Sequence, residues 1–276
     1  MTIAPDAISR EPQGLSVRGY LLTLRPPSDP MVASRVAQLS ESITPLILWT
    51  GIDGRRLSAP DYYRHLVQAH YQHGQVVTPA EVGVSLSHVA VIDDFLGTSA
   101  EVAIIFEDDV IIRPDSAQIL APALLFVRPA DVLVACDQSG LEYLGVAKGR
   151  PLVPDGSCLE VLRDDWRIVK RSCAYVLGRE AASHLRQVQS RGLWPSDDFR
   201  VLCPPEGRLL YCGAFEHPRD DATSVVAPER AMKAASRTPP KPLTRRLLAE
   251  VMRTLSPRLA RVSRDVRSRL RGYRPI

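Results

Sequence analysis

The chain has 276 residues, 45% hydrophobic and 24% charged, an ordinary globular composition that excludes an intrinsically disordered protein. Its net charge of +4 hides an asymmetry: residues 228–276 hold 14 Lys and Arg against 3 Asp and Glu, or +11, leaving −7 for residues 1–227. No apolar run reaches the ~20 residues that span a bilayer, and the first residues show no basic and apolar signal segment.

Residues 1–16 are polar with scattered prolines and are expected to be flexible. Arg18 to Leu24 reads as a first buried strand, broken by Arg-Pro-Pro-Ser-Asp-Pro. Met31 to Ser42 has a helical pattern, Pro45 to Trp49 reads as a second strand, and Gly51 to Leu57 suits a tight turn around Asp53. Tyr62 to His73 is expected to be helical. His65, His70 and His73 give no i, i+4 pair there and are not read as a metal site.

The stretch from Val77 to Ile112 is the most informative. Thr78, Pro79 and Glu81 form the start of a helix, with a capping residue, a proline at the first position and a capping-box glutamate. That helix is expected to run to about Phe95, with Gly97 ending it. Val102 to Phe106 is a short unbroken apolar run, the pattern of a strand buried on both faces. Glu107, Asp108 and Asp109 follow at once. Three adjacent carboxylates repel one another, and ligands of open α/β sheets bind at the carboxyl ends of strands. Hard oxygen ligands there suit Mg²⁺ or Mn²⁺. An acidic turn that merely solvates a strand end is the plainer alternative.

Beyond the triplet, Asp115 to Phe126 reads as a helix and Asp131 to Cys136 as a strand. Asp137 to Asp165 is rich in Gly and Pro, fits neither pattern and is expected to be a functional loop, acceptor-facing or a lid. Ile168 to Leu177 reads as a strand, Arg179 to Gln189 as a helix, and Leu209 to Cys212 as a last strand. Five cysteines with no C-x-x-C spacing are expected to be reduced thiols, neither a disulfide framework nor a zinc site. Three prolines at 239, 240 and 242 mark a linker, and Leu243–Leu255 and Arg258–Leu270 read as two basic amphipathic helices.

Glu-Val-Gly-Val-Ser-Leu-Ser-His (81–88) followed by Phe-Glu-Asp-Asp (106–109) resembles glycosyltransferase family 25, which includes bacterial lipopolysaccharide and lipooligosaccharide galactosyltransferases. The resemblance extends in order through Asp53-Gly, Ala174-Tyr175, Ala181-Ala182 and Asp197-Asp198, from about Tyr20 to Val226. Val84 stands where the family usually has Cys, and the family's nucleotide-contacting Arg after the first strand has no clear match.

The resemblance implies an α/β, GT-A-like (Rossmann-related) single domain with a mostly parallel central sheet, and the residues beyond it add a basic C-terminal helical tail. The expected divisions are a flexible N-terminus 1–16, a glycosyltransferase domain 17–227, a Pro-containing linker 228–242 and an amphipathic tail 243–276. It also implies an inverting, metal-dependent transfer from a UDP-sugar, with galactose expected, to a hydroxyl of a lipid-linked or other glycan. Asp197, with Asp198 in reserve, takes the base role. Thr23, Asp53, Ser87, His88, Glu107 and Asp108 are implied to hold the nucleotide sugar. Asp109, with Glu107 or Asp108 beside it, is implied to hold Mn²⁺ or Mg²⁺. His217 departs from the family pattern and is expected to complete the metal set as a late His does in many GT-A enzymes, a surface His beside Pro218 being the plainer reading.

A cytoplasmic enzyme, peripheral at an anionic membrane through its basic tail, is expected. A helix pair packed on the body is the other reading of that tail. A nucleotidyltransferase of the same broad fold is a rival, although Leu24-Arg-Pro-Pro-Ser-Asp-Pro lacks a glycine-rich phosphate loop. A nucleic-acid-binding protein fits poorly, because the body is acidic and the tail has a single aromatic residue, Tyr273. A non-catalytic scaffold would not need the three acidic positions 107, 109 and 197.

Overall fold

β-Branched and aliphatic runs of five to eight residues, separated by helical segments, assemble into one sheet covered on both faces. The computed structural model describes residues 15–141, 147–218, 226–236 and 274–275. In chain order the elements are β1 (Val17–Thr23), α1 (Pro30–Ser40), β2 (Leu46–Thr50), α2 (Ala59–His73), α3 (Pro79–Leu96), β3 (Val102–Glu107), β4 (Ile111–Ile112), α4 (Ser116–Leu124) and β5 (Val132–Cys136). They continue as β6 (Lys148–Pro151), β7 (Leu159–Val161), β8 (Ala174–Gly178), α5 (Arg179–Arg191), α6 (Phe199–Leu202), β9 (Leu209–Glu216), α7 (Ala227–Ser236) and β10 (Arg274–Pro275).

The strand order is β10-β6-β7-β9-β5-β8-β3-β1-β2, with β4 added on β9. β1 runs parallel to β2 and β3, and β5 runs parallel to β9. β8 lies between β3 and β5, antiparallel to both. Five of the six central strands therefore share one direction and β8 opposes them. Beyond β9 every pairing is antiparallel. The expected mostly parallel sheet is thus mixed: its parallel pairs, β2-β1-β3 and β5-β9, stand on either side of the antiparallel β8.

Successive residues of β3 point to opposite faces. Ala103 and Ile105 join Val91, Ile92 and Phe95 of α3 with Ala181, Ala182 and Leu185 of α5. Val102, Ile104 and Phe106 join Leu39 of α1 with Leu120, Ala123 and Leu124 of α4. The result is a three-layer α/β arrangement. Among the described residues no helix is long and apolar enough to cross a membrane.

Several expectations need correction. Ile168 to Leu177 is not one strand: β8 begins only at Ala174, because Arg171 takes φ 71°, which turns the chain just before it. The 137–165 segment contains two short antiparallel strands, β6 and β7, too brief to leave a periodic signature. The expected linker opens as helix α7, with Pro228 in its first turn, where the missing N–H costs nothing. Arg274 and Pro275 form an edge strand on β6, not part of a helix. The expected flexible N-terminus lies outside the described residues except for its last two positions, and of these Ser16 is tied to Glu101. Pro239 to Pro242 and both expected tail helices also lie outside them.

Cys136 and Cys173 form a disulfide, against the expectation of reduced thiols throughout; Cys158, Cys203 and Cys212 are free and buried. Strand register explains the pair. Val132 faces Leu177, Leu133 faces Val176 and Val134 faces Tyr175, so the same register sets position 136 opposite 173. A separation of 37 residues gives no hint of this. The reading of a reducing compartment loses the support it drew from free thiols.

Candidate active site

Helix α3 carries one wall of the site. Thr78 caps it, accepting from Glu81 N, while the Glu81 side chain accepts from Thr78 N. Gly83 lies one turn further on, against Gly54. A Cβ on either glycine would overlap the other's backbone, and on Gly83 also the carbonyl of Ile52. The two glycine-containing motifs are therefore two halves of one close backbone contact. Ser87 completes it by accepting from Ile52 N at 2.7 Å and donating to Gly83 O at 2.7 Å. Asp53 caps the next turn and holds Arg55 through both carboxylate oxygens, at 2.7 and 2.9 Å. The Arg55 hydrogen bond outweighs desolvation and keeps the Asp53 carboxyl below its usual range.

The carboxyl ends of β1 and β3 form the floor. Thr23 donates to Asp108 and accepts from Arg25 N, and Arg25 Nε lies 3.6 Å from Asp108. Glu107 Oε1 accepts from Ser172 at 2.6 Å, and His88 Nε2 lies 3.3 Å away, off the hydrogen-bond axis. His88 is buried, with Nδ1 bonded to the Tyr175 hydroxyl at 2.8 Å. Burial alone raises the Glu107 pKa, but His88 and Ser172 outweigh it and hold the carboxyl below its usual range. Burial raises Asp108, more than Thr23 and Arg25 lower it.

These pieces enclose a pocket of about 320 Å³. Thr23, Asp53, Ser87, His88, Glu107 and Asp108 all line it, which brings the six expected nucleotide-sugar residues to one place. Arg25, Arg55 and Val226 line it too, and sequence reasoning missed them. Arg25 lies two residues beyond β1, close to where the family carries the Arg for which the sequence offered no clear match. Val226 belongs to the segment read as the domain's end.

Asp109 faces away from this pocket toward β9. Pairing of Ile111 with Glu216 sets His217 beside it, Nε2 to Asp109 Oδ2 being 3.4 Å. His217 Nδ1 is 2.6 Å from the carbonyl of Pro218, which can only accept, so Nδ1 carries the proton. In the neutral ring Nε2 then presents a lone pair to a carboxylate oxygen. Asp109 Oδ1 is buried with no hydrogen-bond partner. Burial first, then the charges of Glu107 and Asp108, push the Asp109 carboxyl up to about 7. Two facing lone-pair donors and an orphaned carboxylate oxygen fit a divalent cation. Glu107 uses Oε1 for both Ser172 and the approach of His88. Among the described residues no group of three or more His, Cys, Asp or Glu forms a ready ligand shell, so phosphate or water oxygens would have to complete it.

Asp197 and Asp198 lie outside the pocket lining, in the turn before α6. Asp198 occupies the N-cap position of α6 but makes no side-chain cap bond. Asp197 O receives Lys170 Nζ at 3.4 Å, and its carboxylate is 3.5 Å from Arg171 N. Ser196 joins this turn to the floor: its hydroxyl is 2.9 Å from Ser172 Oγ.

No protein-family model and no curated protein matches the chain. Among solved structures the chain is similar to glucosyl-3-phosphoglycerate synthase from Mycobacterium tuberculosis in complex with Mn²⁺, UDP and glucosyl-3-phosphoglycerate, at 14% identity and TM-score 0.42, over 83% of this chain and 81% of that one. It is also similar to a putative glucose-1-phosphate thymidylyltransferase from Bacillus anthracis, at 17% identity and TM-score 0.39, over 82% and 98%. A mannose-1-phosphate geranyltransferase from Thermus thermophilus is similar at 13% identity and TM-score 0.38, over 79% of each chain. Likeness this remote leaves the function to be read from the chain's own residues.

Proposed function

We propose that the chain is an inverting, metal-dependent glycosyltransferase of family 25 type, taking a sugar from a UDP-sugar to a glycan hydroxyl, with UDP-galactose as the expected donor. One observation carries the reading. Six residues drawn from four separated segments line one pocket at the carboxyl ends of parallel strands, and Asp109, which follows two of them in the chain, has a buried carboxylate oxygen without a hydrogen-bond partner. Ligands of α/β sheets bind at such strand ends.

Thr23, Asp53 and His88 would shape the nucleoside end, while Arg25 and Arg55 offer positive charge to a diphosphate. Mn²⁺ or Mg²⁺ held by Asp109 and His217 would neutralise charge on the departing diphosphate. Asp197 would accept the proton of the attacking hydroxyl, with Asp198 as its alternate. The acceptor class follows from the resemblance, and the basic 243–276 tail would bring the enzyme to an anionic membrane carrying a lipid-linked glycan.

Thermal denaturation with UDP and Mn²⁺ tests the reading. At ligand concentrations 100 times Kd the parent should gain about 2.7 kcal/mol. Asp109→Ala should fold and lose the Mn²⁺-dependent part of that gain. Equal gains in both proteins would remove Asp109 from the site.

A further inference from the structure

Ser172 is a buried hydroxyl with no part in the proposed chemistry. It is 7% exposed and sits in the turn that precedes β8. That turn is strained and firmly held. Arg171 is a non-glycine residue at φ 71°, and Gln138 clasps Lys170 on both sides, accepting from its N–H at 2.8 Å and donating to its carbonyl at 2.7 Å. A left-handed residue persists only where its surroundings over-determine it. Here the result is that the Ser172 side chain points between two acidic segments.

The direction of the bonds is fixed by chemistry. The Glu107 carboxylate accepts, so Ser172 gives it its only hydrogen at 2.6 Å. Ser172 Oγ must then accept from Ser196, 2.9 Å away. Side-chain contacts that otherwise hold the 196–198 turn are long, 3.4 Å from Lys170 Nζ to Asp197 O and 3.5 Å from Arg171 N to Asp197 Oδ2. Asp198 contributes no side-chain cap to α6.

We infer that Ser172 and Ser196 are positioning residues, a two-hydroxyl bridge that couples Glu107 in the pocket wall to the turn carrying Asp197 and Asp198. The coupling rests on geometry alone. Its meaning for transfer rests on the proposed glycosyltransferase reading. Filling the pocket constrains Glu107, and through the bridge orders the acidic turn before an acceptor arrives.

Amide hydrogen exchange of the full chain separates the two layers. In ligand-free protein, Ser172→Ala and Ser196→Ala should each speed exchange of the amides of Asp198, Val201 and Leu202 by about tenfold. The double variant should exchange no faster than either single one, and Ser172→Thr, which keeps the hydroxyl, should restore slow exchange. Unchanged exchange in both single variants, or additive effects in the double, overturns the bridge. Ser196→Ala, at a half-exposed position, keeps the test open if Ser172→Ala does not fold. With UDP and Mn²⁺ added, exchange at 198–202 should slow in the parent and not in Ser172→Ala, while both bind UDP equally by calorimetry. Slowing in both overturns the coupling. A parent that fails to bind UDP and Mn²⁺ refutes the glycosyltransferase reading instead, and the ligand-free result still decides the bridge. In UDP-galactose hydrolysis the same variant should lower kcat and leave KM unchanged.

Discussion

Two glycines set the outer wall of the pocket. Gly83 and Gly54 meet backbone to backbone, so the turn bearing Asp53 and Arg55 rests directly on α3. Gly83→Ala would force these segments apart, and overpacking of this kind costs about 1–3 kcal/mol. Chemical denaturation should show that loss, and UDP affinity should fall with it because Ile52 N would move away from Ser87. Gly74→Ala, which meets no atom within 4 Å but sits at φ 69°, should destabilise without touching UDP affinity. The acidic pair before α6 makes a different prediction. Asp197→Asn should lower the rate of UDP-sugar turnover by about 10²–10⁴-fold with UDP affinity kept. Near-parental turnover there, with a large loss in Asp198→Asn, would reassign the base to the neighbour. At this scale the sequence showed the adjacent carboxylates, because like charges side by side need a reason, while His88 came only through the resemblance. It did not show Ser172 or Arg55, whose roles depend on a turned backbone and on a partner two residues away.

Helices and strands with strong local signals were legible. Thr78-Pro-Ala-Glu81 gives a capping box because every part of it lies within one turn. Val102 to Phe106 gives a strand because burial on both faces needs an unbroken apolar run. Elements whose existence depends on distant partners were not. β6 and β7 are held by each other and by β9, and the Cys136–Cys173 bond needs a register that no spacing encodes. Helix α7 was hidden by Pro228, which reads as a breaker yet suits a first turn.

That helix is held by the α3 terminus. Glu229 accepts from Ala80 N at 2.9 Å, while Arg230 and Lys233 reach Glu81 at 3.2 and 2.8 Å. Desolvation pushes Glu81 up, but Lys233, the Thr78 amide and Arg230 outweigh it and keep the carboxyl below its ordinary 4.5. A depressed carboxyl contributes stability that is present above the unfolded value and lost as pH falls through the folded one. Acidification below about pH 4.5 should therefore release α7 and weaken the helix cap. Glu81→Gln should cost about 2 kcal/mol at pH 7 and flatten the acid limb of the stability profile. Urea denaturation from pH 7 to 3.5 measures both. An acid limb as steep in the variant as in the parent would show that other carboxyls set it.

For the whole molecule, charge separates into an acidic body of −7 and a basic segment of +11. If that segment meets an anionic surface, deleting 238–276 should release the protein from anionic liposomes and spare UDP-sugar hydrolysis. Co-sedimentation that survives the deletion, or that ignores high salt, would assign the charge to another use. The expectation of a tail came from charge, three prolines and amphipathic spacing, all local signals that are blind to which distant strand Arg274 joins.

The ends of that segment are both fixed. Ser236 closes a helix anchored at the pocket rim, and Arg274 lies in the strand added to β6 at the far edge of the sheet. Between them lie 37 residues with eleven basic and two acidic side chains. Tying both flanks costs entropy that grows only slowly with the number of residues between them. Removing Gly272 to Ile276 would untie the far flank and take away one charge, that of Arg274.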